Sequence, residues 1–530
     1  MVTPVRAPSL TRGRGPAHVP SAVGRLAPPA AVALVALVAA RTAMLPGLGF
    51  WDTAELQAVG PLLGTAHPPG FPTWVLLGWF ASVVLQPFGE PAFRMNLLAG
   101  LCVAAAAGIT VDLVRVMTRS ALLGIVAGLG LALTPVAWSI ATHAEAHALH
   151  LVFVAALLRL LVAWELRVRG LIAGSADRYL VAAVVVFGLS VGNHSLTLLL
   201  APPIALFVWA VDRETWRNRR LIGWCAAGLV AAVVLVYLEL PLRAGPFRAP
   251  LVYGRPDTWD GFWYIALGQQ FLGSTVNPLA DLPGTVGTLV DRVILQFGIL
   301  APLLPVAFAV TYARWRSYAL LSGSAVLITC VFASAYMNAE IGRYYLGPVL
   351  MAWTWLAILA ARVAGTLDWV VDWLADDEAE TSEGPPRILT VVLALALIAP
   401  TSLALGDRSA AVDVSHDRDA AAWLDHALAV MEPGAVIVSW WSYSTPLWYA
   451  QRVEGRRSDL LIVDDRTRLD ENLGDITDVI DAHLGRNPVY VIRDDQLEID
   501  LLAERYELSF IDGPDARWLT LVLRPRGSGS

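Results

Sequence analysis

Charged residues are scarce in this chain. Only 16% of its 530 residues are charged, whereas 56% are hydrophobic and the mean hydropathy is +0.58. Soluble domains carry about 25% charged residues. The composition therefore excludes an ordinary soluble protein and indicates that much of the chain faces lipid.

Lysine is absent and cysteine is rare. All basic charge is arginine, and no basic tract of the kind that binds nucleic acid is present. Cys102, Cys225 and Cys330 each lie in an apolar run, which excludes a disulfide framework and indicates small buried apolar side chains. The sequence also has no internal repeat, which argues against transporters built from inverted repeats.

Long apolar runs, by contrast, are abundant. A membrane-spanning helix needs about 20 apolar residues, and runs of suitable length predict a polytopic α-helical membrane protein with about eleven spans. They lie at 26–45, 93–114, 121–139, 146–164, 179–192, 196–211, 221–240, 287–311, 318–335, 344–362 and 387–405. The first run is also compatible with a signal peptide, but an uncleaved span fits the arginine distribution better.

The arginines predict the orientation of these spans, because cytoplasmic loops are enriched in basic residues. With residues 1–25 as a disordered cytoplasmic tail and 376–383 as an acidic cytoplasmic linker, most loop arginines fall on the cytoplasmic side. This holds only if 72–88, which two prolines break, is a helix at the membrane surface. Residues 46–92 then form one long outer loop of a transmembrane domain at 26–405, and we expect a multipass protein of the plasma membrane.

Charges become frequent again after the last apolar run, and 409–525 are predicted to form a small α/β domain outside the membrane. The predicted strands are Ala435–Val438, Leu460–Val463, Val489–Ile492 and Leu519–Leu523, and the predicted helices are Ala420–Met431, Ile476–Leu484 and Leu497–Tyr506. An aromatic cluster follows the first strand and either stacks on sugar or packs the domain; we favour packing. It comprises Trp440, Trp441, Tyr443 and Trp448.

The strongest motif lies in the first outer loop. Asp52 and Glu55 are three residues apart, so on a helix they share one face. They are equally compatible with a capping box at a helix start. His67 precedes Pro68-Pro69-Gly70, which fixes an extended backbone and a turn, typical of a chain reversal or of a surface active site.

Three further polar clusters lie at the outer ends of spans. His143 and Glu145 lie at a span start, where the carboxylate either stabilises the helix or contacts substrate or metal. His143 and His147 suit metal ligation by spacing alone, so a divalent metal stays open, no metal ligand is assigned and no cofactor is certain.

Asn193 and His194 form a polar corner between two short apolar runs, which neighbouring helices or a ligand would satisfy. Arg343 and Tyr344 open a late span. The arginine is suited either to interfacial snorkelling or to clamping a lipid phosphate.

These motifs resemble a bacterial multipass membrane family related to the eukaryotic transmembrane protein O-mannosyltransferase. The residues that carry the resemblance are Asp52, Glu55, Leu63, Gly64, Ala66, His67, Pro68, Pro69, Gly70, Glu145, Gly192, Asn193, His194, Arg343 and Tyr344. The resemblance implies the type C glycosyltransferase fold, a sugar donor linked to polyprenyl phosphate, and an active site outside the cytoplasmic leaflet. In enzymes of this fold, the catalytic acidic residue lies in the first outer loop, just after the first span.

On this basis we expect an inverting glycosyltransferase that moves a sugar, mannose by resemblance, to a hydroxyl of a secreted protein or a glycan. Asp52 is the expected general base, with Glu55 beside it. Arg343, or else His67, would stabilise the leaving phosphate. The expected donor- or acceptor-binding residues are His67, His143, Glu145, Asn193, His194, Arg343 and Tyr344. Alternative classes are a flippase of lipid-linked sugars and a membrane sensor.

Overall fold

The computed structural model describes residues 22–375, 387–513 and 519–526. Most of the predicted N-terminal tail and the whole acidic linker lie outside these ranges. The helices before the sheet domain are α1 Ala22–Thr42, α2 Trp51–Leu62, α3 Pro72–Val84, α4 Pro91–Thr118, α5 Ala121–Ala132, α6 Pro135–Ile140, α7 Ala146–Val168, α8 Asp177–Val191, α9 Ala201–Val211, α10 Arg219–Tyr237, α11 Glu239–Ala244, α12 Trp259–Ala266, α13 Leu282–Phe297, α14 Leu304–Arg314, α15 Arg316–Ala335, α16 Leu346–Ala375, α17 Arg387–Leu403 and α18 Leu405–Val412. Short 3₁₀ helices occur at Gln86–Phe88, Ser195–Leu200, Arg213–Arg217, Gln269–Phe271, Gly298–Leu303 and Ile341–Tyr345.

The long apolar helices confirm a polytopic α-helical protein. Within the described ranges, seven helical segments are long and apolar enough to cross a membrane, and eight if the bent pair Ile388–Leu403 and Leu405–Val412 is one span. The other three predicted spans, 121–139, 179–192 and 196–211, are also helical but fall into shorter pieces. Length and composition alone therefore support fewer full spans than the predicted eleven.

Helix α4 lies at the centre of the helical bundle and packs against α1, α5 and α7. Small side chains on its buried face, among them Ala99, Ala106 and Ala107, are fully covered. Small residues let membrane helices approach closely, and van der Waals packing then replaces the hydrophobic effect as the source of cohesion. The bundle core is continuous with the first outer loop, because Met95 of α4 touches Gly60 of α2 and Gly78 of α3.

The predicted surface helix is confirmed as a helix, α3, inside the long loop between α1 and α4. Its exposed side chains are apolar: Trp79, Phe80, Val83 and Val84. An apolar exposed face with an aromatic residue is what a helix lying at the membrane interface would present. Its depth in the bilayer stays a prediction.

The chain ends in a small α/β domain, as predicted. The sheet has the order β2-β1-β3-β5-β4, with β1 parallel to β2 and β3, and β5 antiparallel to β3 and β4. The strands are β1 Val436–Ser439, β2 Leu461–Asp464, β3 Val489–Ile492, β4 Tyr506–Phe510 and β5 Thr520–Pro525. The helices are α19 Asp419–Val430, α20 Trp441–Arg452, α21 Asp465–Asp470, α22 Ile476–His483 and α23 Gln496–Arg505. The prediction missed β4, α20 and α21.

Helix α20 docks the sheet domain onto α2 of the first outer loop. Trp440 packs edge-on against Trp51 with 4.8 Å between ring centroids, and Tyr443 packs against Phe50 at 5.6 Å. The hydroxyl of Tyr449 accepts a hydrogen bond of 3.0 Å from the backbone N–H of Ala92. These contacts fix the domain against the loop that carries Asp52.

Helix packing around Gly130 gives a stability test. A Cβ at Gly130 would stand 2.5 Å from the buried indole of Trp353, whereas a Cβ at Gly223 of α10 would meet nothing within 4 Å. Because the ring is rigid and buried, we expect Gly130→Ala to cost about 1–3 kcal/mol. Gly223→Ala should be neutral or slightly stabilising. Thermal unfolding of both variants in detergent checks this, and an unchanged midpoint for Gly130→Ala would contradict it.

Candidate active site

Asp52 lies in the first turn of α2, and its carboxylate is about one-third exposed, at 30%. Oδ2 is 3.3 Å from Nη2 of Arg343 and 4.0 Å from Nε2 of His67, while Nε1–H of Trp441 donates to Oδ1 at 3.1 Å. The residue that caps the helix is Phe50, which makes no side-chain cap. The capping-box alternative for Asp52 and Glu55 is therefore wrong.

Glu55 is buried, and its carboxylate holds His67. The backbone N–H of His67 donates to Oε1 at 2.8 Å, and Nδ1 of the imidazole contacts Oε2. The turn that brings them together needs Gly64, because a Cβ there would lie 2.6 Å from the carbonyl oxygen of Leu251. The sequence Gly-x-x-His thus delivers the imidazole between the two acidic residues.

The charges in the site set the protonation states of Asp52, Glu55 and His67. Burial would raise the pKa of Asp52, but the positive charges of His67 and Arg343 overcome this and hold it below its usual value. Burial would lower the pKa of His67, yet Glu55 and Asp52 together raise it to about 9. Burial raises the pKa of Glu55. At neutral pH the site therefore holds ionised Asp52 beside an imidazolium.

Arg343 lies in the 3₁₀ turn before α16 and is largely buried. Nη1 is 2.7 Å from Oε2 of Glu145 and 2.9 Å from Oε2 of Glu340, while Nη2 reaches Asp52. Interfacial snorkelling of this arginine is therefore wrong. The guanidinium bridges the loop 46–92 and the start of α7, as a planar group with several donors can.

Behind Arg343 lies a buried polar cluster. Glu145 caps α7 by accepting from the backbone N–H of His147 at 2.9 Å, so its helix-stabilising role is confirmed, and it also contacts Nδ1 of that histidine at 2.7 Å. The ring of His147 lies 4.5 Å from His194 and 5.1 Å from Tyr344, measured between centroids. Asn193 donates from Nδ2 to the carbonyl of Ala146 at 2.9 Å.

The structure thus gathers Asp52, Glu55, His67, Glu145, Asn193, His194, Arg343 and Tyr344 at one end of the bundle. His143 is less connected, since its ring hydrogen-bonds the hydroxyl of Thr142 at 3.2 Å. In the described part of the chain, no group of three or more His, Cys, Asp or Glu side chains is placed to hold a metal ion.

Trp441 was missed as a site residue, because its aromatic cluster was interpreted as packing. Most of the cluster does pack against α2, but the indole N–H of Trp441 binds Asp52. The signal was the position of this residue just after β1. In open α/β sheets, ligands bind beyond the carboxyl ends of the parallel strands.

The helical bundle and the small sheet domain define the class, a membrane protein with the type C glycosyltransferase fold. ArnT from Cupriavidus metallidurans, solved with undecaprenyl phosphate, matches with a TM-score of 0.54 and 16% identity over 95% of this chain and 98% of that one. The apo oligosaccharyltransferase of Archaeoglobus fulgidus matches with a TM-score of 0.54 and 13% identity over 96% and 75%. At these identities the likeness shows the fold alone.

Proteins similar in sequence indicate the family more specifically than the solved structures do. Residues 52–218 match the family model of the protein O-mannosyl-transferase TMEM260 N-terminal domain. The mouse protein O-mannosyl-transferase TMEM260 is 28% identical over 61% of this chain and 46% of its own length, and the Dictyostelium discoideum counterpart is 21% identical over 54% and 37%. The resemblance seen in the motifs is thus confirmed. The chain spans less than half the length of these curated relatives.

Arg343 gives a test of the site's construction that needs no activity. Replacing Arg343 by Met leaves Glu145 buried without its cation, so we expect a loss of about 3–5 kcal/mol of stability. Glu145→Gln added to this variant should restore part of it. Arg456→Met, which breaks an exposed pair with Asp425, should stay within about 1 kcal/mol of wild type. Thermal unfolding in detergent measures all three, and equal losses for the two arginines would be inconsistent with the proposed role.

Proposed function

We propose that this protein is an inverting glycosyltransferase that moves a sugar from a polyprenyl-phosphate donor to a hydroxyl of a secreted protein on the outer face of the membrane. The observation that carries the proposal is Asp52, an ionised and partly exposed carboxylate beside two cations. Supporting it are relatives named as protein O-mannosyl-transferases and a fold neighbour solved with undecaprenyl phosphate.

In the proposed reaction, Asp52 accepts the proton of a Ser or Thr hydroxyl as its oxygen attacks the anomeric carbon of the sugar. The new oxygen–carbon bond forms on the face opposite the phosphate. The bond between the anomeric carbon and the phosphate oxygen breaks, and the electron pair leaves with polyprenyl phosphate. A positioned general base contributes about 10²–10⁴-fold to such a step.

Arg343 and the protonated His67 are the proposed partners of the departing phosphate. The contact of Arg343 with Asp52 is longer than its contact with Glu145, 3.3 Å against 2.7 Å, so it is the one that a phosphate would replace most easily. The exchange would move Arg343 from Oδ2 of Asp52 to the phosphate. A guanidinium suits this because it presents several donors to an anion.

The identity of the sugar and the side of the membrane on which the active site lies are proposed on separate observations. Mannose is favoured by the names of the relatives. A cytoplasmic N-terminus, an outer active site and a location in the plasma membrane are favoured by the distribution of loop arginines. His143, Asn193, His194 and Tyr344 would line the donor side of the site.

Asp52→Asn tests the base directly. With purified protein, polyprenyl-phosphate-mannose and a secreted acceptor, we expect transfer at saturating substrate to fall about 10²–10⁴-fold, because the amide cannot accept the proton. Asp177→Asn, the same change in the first turn of α8, is the matched control and should keep activity. Normal transfer by Asp52→Asn would contradict the assignment. A flippase would release no polyprenyl phosphate in detergent.

The pH profile tests His67. Its pKa of about 9 means that the imidazolium is present below that pH and is lost above it, so the wild-type rate should fall as pH rises through about 9. His67→Gln should be slower but should lack this alkaline limb. Its acid limb should move to higher pH, because removing the cation raises the pKa of Asp52. An alkaline limb that survives in His67→Gln would show that another group causes it.

A further inference from the structure

A cavity of about 310 Å³ opens beside the candidate active site, between the membrane domain and the sheet domain. One wall is the outer loop 248–254, the other is β2 with α21, and Glu55 and Thr65 contribute to the wall between them. The volume lies at the lower end of the range for ligand pockets. Nothing in the proposed reaction yet uses this space.

The cavity faces water rather than lipid. Its lining comes from the first outer loop, the loop after Ala244 and the sheet domain, and contains no residue of the seven candidate spans. Both signs of charge line it: Arg248, Arg452 and Arg466 against Asp470 and Glu471. A lipid-linked donor would need an apolar approach, so this entrance suits the water-borne acceptor.

Both walls present main-chain groups. Strand β2 is at the edge of the sheet, and the N–H of Leu461 bonds the carbonyl of Ala435 beyond the start of β1. Since successive residues of a strand point to opposite sides, the N–H and C=O of Ile462 point out from the free edge. Across the cavity, Leu251 and Tyr253 bond Thr65, which turns the main-chain groups of Val252 away from Thr65.

The aromatic rings of the lining offer no open platform for a sugar. The guanidinium carbon of Arg466 lies 5.7 Å from the ring centroid of Tyr253, and the ring of Trp441 lies perpendicular to that of Tyr253 with 5.3 Å between centroids. Trp448 is buried and packs against Trp441. Glycan sites rely on exposed aromatic faces, whereas a free strand edge recognises an extended polypeptide.

We infer that this cavity is the acceptor site, and that it binds the acceptor as an extended polypeptide added to the free edge of β2 at Ile462. The inference rests on the proposed function and names its acceptor class. The side chains of the segment alternate, so every second one faces the cavity wall. Recognition by main-chain bonds would accept many sequences around one Ser or Thr.

Trp441 stands between this cavity and Asp52. Its indole contacts both lining aromatics, Tyr253 and Trp448, and its N–H occupies Oδ1 of Asp52. An acceptor hydroxyl that reaches the carboxylate from the cavity therefore takes the place of this indole hydrogen bond. The path of the acceptor from the cavity to Asp52 therefore passes Glu55 and His67, which form one wall of the site.

The first test uses three forms of one short unstructured peptide with a single threonine: unmodified, and N-methylated at alternate residues in either of the two registers. Pairing with one strand edge uses the N–H groups of one register only. We expect kcat/KM to fall about tenfold or more in one register and to change little in the other. Equal transfer to all three forms overturns the inference.

The second test fills the cavity. Leu461→Trp places an indole in it, and Leu469→Trp places the same bulk on an exposed leucine of α21 that does not line it. We expect Leu461→Trp to raise the peptide KM about tenfold, with kcat and the slow hydrolysis of donor by water unchanged, and Leu469→Trp to behave as wild type. An unchanged KM for Leu461→Trp, or robust transfer to a soluble oligosaccharide by both variants, overturns the inference.

The hydrolysis of donor separates the two levels of the proposal. Wild-type protein could release polyprenyl phosphate from the donor while the two N-methylated peptides react equally and Leu461→Trp leaves the peptide KM unchanged. In that case the proposed acceptor site is wrong, but the proposed glycosyltransferase function is not contradicted. If wild-type protein releases no polyprenyl phosphate with any acceptor or with water, the proposed function itself fails.

Discussion

The ion bridge at Arg343 is the interaction on which the outer end of this molecule depends. One largely buried guanidinium contacts Asp52, Glu145 and Glu340, and so joins the first outer loop, the start of α7 and the turn before α16. Glu145 is buried, so without this cation its charge would be left uncompensated. The same cation that assembles the loops also keeps the pKa of Asp52 low. Arg343 therefore serves the architecture and, together with His67, the ionisation of Asp52.

A second constraint is the docking of the sheet domain. Helix α20 packs along α2, and Tyr449 and Trp441 hydrogen-bond residues of the first loop and of α4. The domain is thus part of the site wall as well as a cover above it. Its parallel strands point their carboxyl ends at the membrane domain, which is where such sheets ordinarily bind ligands. The contact of Trp441 with Asp52 follows from this orientation, whereas the free edge of β2 follows from the strand order.

Much of this could be predicted from the sequence because the signals were local. Apolar runs located the helices, alternating short runs located four of the five strands, and the acidic residues with His-Pro-Pro-Gly located the first loop. What failed depended on distant partners. The role of Arg343 is set by carboxylates 198 and 291 residues away, and that of Trp441 by one 389 residues away. Strand β4 was missed because it directly continues α23, so the chain offers no turn signal between them.

The contact between Trp441 and Asp52 also bears on the order in which the molecule is made. Asp52 is synthesised soon after the first helix, but the indole that completes its surroundings belongs to a domain built after the last apolar helix. During synthesis the first loop must therefore wait, without the hydrogen bond from Trp441, until 389 further residues have been translated. A chain released before the sheet domain is made would therefore carry the acidic motif without its complete surroundings.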